Sequence, residues 1–111
     1  MTEAEAKTKL KLMILDTEDP ELSDAQVEDC LTYARRPDTS DRDYADSDWT
    51  PTWDLDAAAA EGWRRKASIA ASRFNFAEDS QRFDRAQIYA HCLSQAEQYA
   101  RRAMGVIPST T

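Results

Sequence analysis

The 111-residue chain contains little glycine and little proline, with two residues of the first and four of the second. Glycine-rich phosphate loops, dinucleotide-binding turns and tight hairpin turns all depend on glycine. The composition therefore argues against a nucleotide-binding loop and against a sheet built from hairpins. It favours a single small all-α domain, because a chain of this length supports one compact core.

Histidine and cysteine, two residue types common in catalytic and transition-metal sites, are equally scarce. The chain has one histidine, His91, which falls on the polar side of a predicted helix, where a solvated side chain is expected. Its neighbour Cys92 projects about 100° away around that helix, which prevents a Cys-His nucleophile pair. Cys30 and Cys92 fall on apolar helix sides, where buried, reduced thiols are expected. We expect no enzyme, no catalytic residue, no cofactor and no metal ligand.

Long apolar runs are missing. No segment approaches the roughly 20 apolar residues of a membrane span, and the first residues, MTEAEAKTKLKL, lack the apolar core of a signal peptide. The sequence thus predicts a protein that is made in a cytoplasm and does not associate with membranes.

Acidic residues, in contrast, are abundant and unevenly placed. The net charge is -7, from 21 acidic and 14 basic side chains. Residues 1–56 carry 16 acidic and 6 basic side chains, whereas residues 57–111 carry 5 and 8. The overall acidity disfavours simple DNA binding, and two halves of opposite charge favour association of the chain with copies of itself.

Four segments have the apolar periodicity of amphipathic helices. They are residues 3–15, residues 23–36, a segment from Asp54 or Asp56 to about residue 73, and roughly residues 80–103. Ser23 and Gln26 have capping-box spacing, Pro37 ends the second helix, and Gly62 on a packed face indicates close contact between helices. We predict a small four-helix bundle: one domain over residues 1–104, with a long acidic loop at 37–53 and an extended C-terminal tail at 105–111.

Two features of the third and fourth helices suggest contacts between subunits. Lys66 and Arg73 project into the apolar arc of the third helix, where each needs an exposed edge or a carboxylate, and that carboxylate could belong to another copy. The fourth helix has a wider apolar arc than one partner helix requires, and Tyr89 and Tyr99 lie in it. We assign these four residues to a subunit interface. Leu31 of the second helix and Leu93 of the fourth are expected to be buried.

The segment 37–53, PDTSDRDYADSDWTPTW, carries five aspartates and two tryptophans without any sustained period. An EF-hand site is excluded because the sixth and twelfth positions counted from Asp41 are Asp46 and Thr52 rather than Gly and Glu. The carboxylates can form a solvated acidic loop, a weak cation site or a mimic of nucleic-acid phosphates. Trp49 and Trp53 can dock on their own domain or anchor a partner.

The order of elements resembles the head-tail connector, or adaptor, proteins of tailed bacteriophages. An acidic Asp-Pro turn leads into a capped "LSD" helix start, here DTEDPELSDAQVEDCL with Leu22-Ser23-Asp24. An Ala-rich third helix, DLDAAAAEGWRRKASIAASRF, ends in Arg73-Phe74, and Ser80-Gln81 leads into the last helix, EDSQRFDRAQIYAHCLSQAEQYARRA. The resemblance covers nearly the whole chain. The family commonly has an apolar or Gly-containing, strand-like break before the last helix, and Asn75–Asp79 lacks glycine.

The resemblance implies a virion structural protein at the head-tail interface. Such proteins form rings, commonly of twelve copies, under the portal; the rings extend the DNA channel without sequence-specific binding and carry the stopper or tail. Val106, Ile107 and Pro108 are candidates for an extended arm that docks on the portal. An alternative is a small acidic regulator or inhibitor, antitoxin-like or mimicking nucleic acid, that acts through the Asp-rich loop.

Overall fold

The computed structural model describes residues 2–74 and 79–103. This part of the chain forms four α-helices and contains no β-strand: α1 (Glu3–Ile14), α2 (Asp24–Tyr33), α3 (Leu55–Phe74) and α4 (Asp79–Ala103). The predicted all-α class is confirmed, and every helix begins and ends within three residues of its predicted bounds.

Side-chain caps fix the starts of the first two helices. The hydroxyl of Ser23 accepts from the backbone N–H of Gln26, and the Gln26 side chain accepts from the N–H of Ser23, as the spacing predicted. Thr2 and Glu5 form the same reciprocal pair at the start of α1. Each pair satisfies two amide donors that a helix start otherwise leaves exposed.

The second helix is shorter than predicted, because the backbone that follows it pairs with the end of the acidic loop. Arg35 forms an isolated antiparallel bridge with Trp53, and the N–H of Arg36 donates to the carbonyl oxygen of Thr52. These bonds take the place of another helical turn. They also hold the two ends of the loop together beside the start of α3.

Helix α3 is the centre of the domain and packs against the other three helices. Most of its buried residues are small. They are Ala57, Ala58, Ala59, Ala60, Ala67 and Ala70, and the large ring of Trp63 is buried with them. The start of α3 lies beside the end of α4, since Ala57 and Ala60 share one groove with Ala100 and Ala103. The two long helices are therefore antiparallel, and the small side chains allow their backbones to approach closely.

Both cysteines are buried free thiols, as expected. Burial raises the pKa of the Cys30 thiol to about 11 and also raises that of Cys92. Both sulfurs are therefore protonated at neutral pH and poorly nucleophilic.

The fourth helix corrects one expectation. α4 packs mainly on α3, and Cys92 and Ala96 are the residues it buries most deeply. Leu93, expected in the core, is 42% exposed, because one neighbouring helix covers only one side of the wide apolar arc.

The proposed arm, Val106, Ile107 and Pro108, lies outside the described residues. None of the four described helices is both long enough and apolar enough to cross a bilayer.

Candidate functional site

Lys66 is an interior residue of this chain. Its side chain is 1% exposed, and Nζ donates to the carbonyl oxygens of Ile14 at 2.8 Å and Leu15 at 2.6 Å. These carbonyls end α1, where the last turn leaves acceptors without helical partners. Nζ also lies 4.5 Å from the centre of the Trp63 ring. Lys66 thus caps the C-terminal end of α1. Because its side chain is buried within its own chain, the assignment of Lys66 to a subunit interface is corrected.

Arg73 also finds its carboxylate within the chain. It forms an ion pair with Asp19 in the connection between α1 and α2, and Arg85 of α4 binds the second carboxylate oxygen at 3.1 Å. The hydrogen bond from Arg73 is the main cause of a lowered Asp19 pKa. One aspartate therefore ties the α1–α2 connection to the end of α3 and to the N-terminal half of α4.

The acidic loop is organised by its first aspartate. Asp38 is 7% exposed, and its carboxylate accepts from the backbone N–H groups of Ser40, Arg42 and Thr50 at 2.9–3.0 Å. The hydrogen bonds from the N–H groups of Thr50 and Arg42 contribute most to lowering the pKa of Asp38 to about 2. A single carboxylate thus joins the two ends of the segment 38–50. Sequence reasoning counted Asp38 with the other acids and missed this role.

Trp49 and Trp53 dock on their own domain. The indole Nε1 of Trp49 donates to the carbonyl oxygen of Arg36 at 2.9 Å, and the two rings meet edge to face at 6.2 Å between centroids. Trp53 packs against the core. Both rings stay half-buried and line a cavity of about 170 Å³ together with Leu31 and Pro51. This leaves part of each ring accessible to a second molecule.

The remaining loop carboxylates face solvent. Asp41, Asp43, Asp46 and Asp48 are all exposed. Among the described residues no three His, Cys, Asp or Glu side chains are grouped closely enough to hold a metal ion. The loop therefore presents fixed negative charge rather than a coordination shell.

His91 and Cys92 line one cavity of about 190 Å³ beside Lys66, although they are adjacent in sequence. His91 is exposed and its ring stands edge to face with Trp63 at 5.5 Å. Cys92 is 1% exposed, with a pKa raised by burial, and Lys66 is engaged by the α1 carbonyls. The cavity brings together titratable groups but holds no activated nucleophile.

The two tyrosines of α4 that the sequence predicted at a subunit interface have different surroundings. Tyr99 is half-buried, and its hydroxyl lies 3.4 Å from the carbonyl oxygen of Met13, a long contact within the chain. Tyr89 is 38% exposed. It lies with Leu93 and two exposed alanines on what we call the α4 outer face: Ala86, Tyr89, Ala90 and Leu93.

A second exposed surface lies on α1, where the sequence predicted no contact residue. Leu12 is 74% exposed, the most accessible of the large apolar side chains described. It adjoins Ala4, Thr8 and Lys9, and we call these four residues the α1 outer face. A usable signal was present in the sequence, because the apolar stripe of Leu10, Met13 and Ile14 leaves Leu12 on another side of the helix.

Comparisons with protein-family models, with curated proteins and with solved structures found no match to this chain.

Proposed function

We propose that the chain is a head-tail connector subunit of a tailed bacteriophage, which assembles as a ring, commonly of twelve copies, under the portal. The observation that carries the proposal is the α4 outer face. Tyr89 and Leu93 are exposed on a helix that packs mainly on α3, so the wide apolar arc is left half uncovered by its own chain. An exposed apolar face on one helix supports a contact with another protein.

The charge distribution supports assembly around a channel. The acidic half ends in a loop whose shape is set by Asp38, so its exposed aspartates are held in place. Fixed carboxylates facing a channel repel DNA phosphates and keep passing DNA from sticking. The basic excess lies in the second half of the sequence. Two different surfaces of one subunit suit head-to-tail contacts between copies.

The same proposal assigns the remaining partners. The ring binds the portal on one side and the stopper or a tail completion protein on the other, and its place is the head-tail interface of the virion. Val106, Ile107 and Pro108 form the portal-docking arm. The half-buried rings of Trp49 and Trp53 offer a second anchor for a neighbouring protein.

Negative-stain electron microscopy of the purified protein, alone and mixed with its portal, tests the proposal. We expect rings, or rings formed on the portal, that persist at high salt because apolar contacts hold them. A chain that stays monomeric and never joins portal particles contradicts it. A salt-sensitive complex with a basic protein, in place of rings, would instead support an acidic inhibitor acting through the loop.

A further inference from the structure

The α1 outer face and the α4 outer face each have an exposed leucine with an exposed charged residue beside it. The α1 outer face has one large apolar side chain, Leu12, followed toward the N-terminus by Lys9, an exposed cation that forms no ion pair within the described residues. The α4 outer face has Leu93, followed toward the C-terminus by Glu97, which pairs with Arg101 one turn later and whose side chain is 65% exposed. Each helix thus presents a leucine next to a charge, and the two charges have opposite signs.

The spacing of these residues fits an antiparallel pair of helices. Lys9 and Leu12 are separated by about 4.5 Å along the helix axis, and Leu93 and Glu97 by about 6 Å, at 1.5 Å per residue. When Leu12 lies against Leu93, Lys9 therefore comes within about 1.5 Å of the level of Glu97, well inside the reach of a lysine side chain. One turn further on, Glu5, which also accepts from the N–H of Thr2, reaches the level of Arg101, which pairs with Glu97. Both side chains are exposed.

We propose that the α1 outer face of one copy packs antiparallel on the α4 outer face of the next copy. The inference rests on the proposed ring and names the surfaces that close it. Two different patches of one chain meet in this contact, so it is heterologous, and a heterologous contact continues from copy to copy until the ring closes. Lys9 with Glu97 sets the register of the contact, and Leu12 with Tyr89 and Leu93 supplies its apolar centre.

Charge reversal in the full-length chain tests the register. Lys9→Glu alone and Glu97→Lys alone should each weaken self-association about tenfold or more, as measured by sedimentation velocity over a dilution series. The double variant should recover most of that loss. Asp43→Lys in the exposed loop is the matched control for Glu97→Lys, since it changes the net charge equally and should leave association unchanged. Single variants that associate like the parent chain overturn the proposed register, provided circular dichroism shows native helix content.

Cysteine cross-linking distinguishes this contact from other ways of associating. Leu12→Cys chains and Leu93→Cys chains are prepared separately, mixed, oxidised and mapped by mass spectrometry. The mixture should give disulfides between positions 12 and 93 of different copies, and neither variant alone should cross-link through its new cysteine. Association with disulfides only between two copies of position 93 overturns this contact but leaves self-assembly standing. A chain that does not associate at any concentration or on portal particles overturns the ring itself.

Discussion

Gly62 of α3 lies directly against Ile14 of α1: a Cβ atom on Gly62 would be 2.8 Å from Cγ2 of Ile14 and 3.2 Å from its Cδ1. Ile14 is fully buried and cannot move aside freely. Gly62→Ala should therefore destabilise the fold. Overpacking costs about 1–3 kcal/mol, and the better helix propensity of alanine offsets about 1 kcal/mol. Urea unfolding followed by circular dichroism measures the difference.

The partner residue supplies the control for this prediction. Ile14→Ala removes the atoms that crowd Gly62 and should cost about 2–5 kcal/mol as a large-to-small core substitution. In that background Gly62→Ala should become neutral or stabilising, because the added methyl group then fills space. If the effect of Gly62→Ala is the same in both backgrounds, the close approach of α1 and α3 does not limit the packing there.

Lys66 gives a second prediction about the end of α1. Burial lowers its pKa, and its ammonium group binds the carbonyl oxygens of Ile14 and Leu15. Lys66→Met keeps a long unbranched side chain but removes the donor of both hydrogen bonds. The buried carbonyl of Ile14 then loses its partner, at a cost of about 1–3 kcal/mol, while that of Leu15 keeps only the N–H of Glu18. Relief of the buried charge opposes this loss. We expect net destabilisation in thermal and urea unfolding.

The matched control is Lys9→Met, which removes an exposed ammonium group from α1. Measured at a concentration where the chain is monomeric, it should change the free energy of unfolding by less than about 0.5 kcal/mol. If Lys66→Met stabilises the chain, the desolvation cost of the ammonium group exceeds the value of the two hydrogen bonds, and Lys66 does not stabilise the end of α1.

The pH dependence of the acidic loop follows from Asp38. Hydrogen bonds from the backbone of Thr50 and Arg42 lower the pKa of Asp38 from 3.8 to about 2. Because the folded pKa lies below the ordinary value, the carboxylate stabilises the loop fully above about pH 4, and this stabilisation is lost as the pH falls toward 2. The amide resonances of Thr50 and Arg42 should shift together over that range.

Substitution identifies the responsible group. Asp38→Asn should disorder the segment 38–50 at neutral pH and abolish the acid transition, since an amide is a weaker acceptor and does not titrate. Asp48→Asn removes an exposed carboxylate from the same loop and should leave the transition in place. A loop that keeps its Thr50 resonance down to pH 2 contradicts the role of Asp38.

The elements that sequence reasoning predicted correctly are those controlled by neighbours along the chain. Ser23 and Gln26 cap α2 three residues apart, and the spacing of Val27, Cys30 and Leu31 places all three in the core. Such patterns depend on the geometry of one helix, so they can be read without knowing what packs against it.

The misjudged residues depend on partners distant in sequence. Lys66 is 51 or 52 positions from the carbonyls it binds, so its place on an apolar arc suggested a second subunit instead of the end of α1. In the sequence Asp38 does not differ from the other loop aspartates, because the N–H of Thr50 that binds it lies 12 positions away. The sequence showed that the apolar arc of α4 is wide. It did not show which side of that arc packs on α3, and the exposure of Leu93 depends on that side.

The exposure of Leu93 leads to the last prediction, a contrast between two leucines. Leu31 is 2% exposed, and Leu31→Ala should lower the free energy of unfolding by about 2–5 kcal/mol. Leu93 is 42% exposed, so Leu93→Ala should cost less than about 1 kcal/mol in the monomer. Urea unfolding at low protein concentration measures both. The same Leu93→Ala chain should associate more weakly at high concentration, because the methyl groups removed belong to the surface that meets the next copy. A large loss of monomer stability with unchanged association would place Leu93 in the core and remove the α4 outer face as the assembly surface.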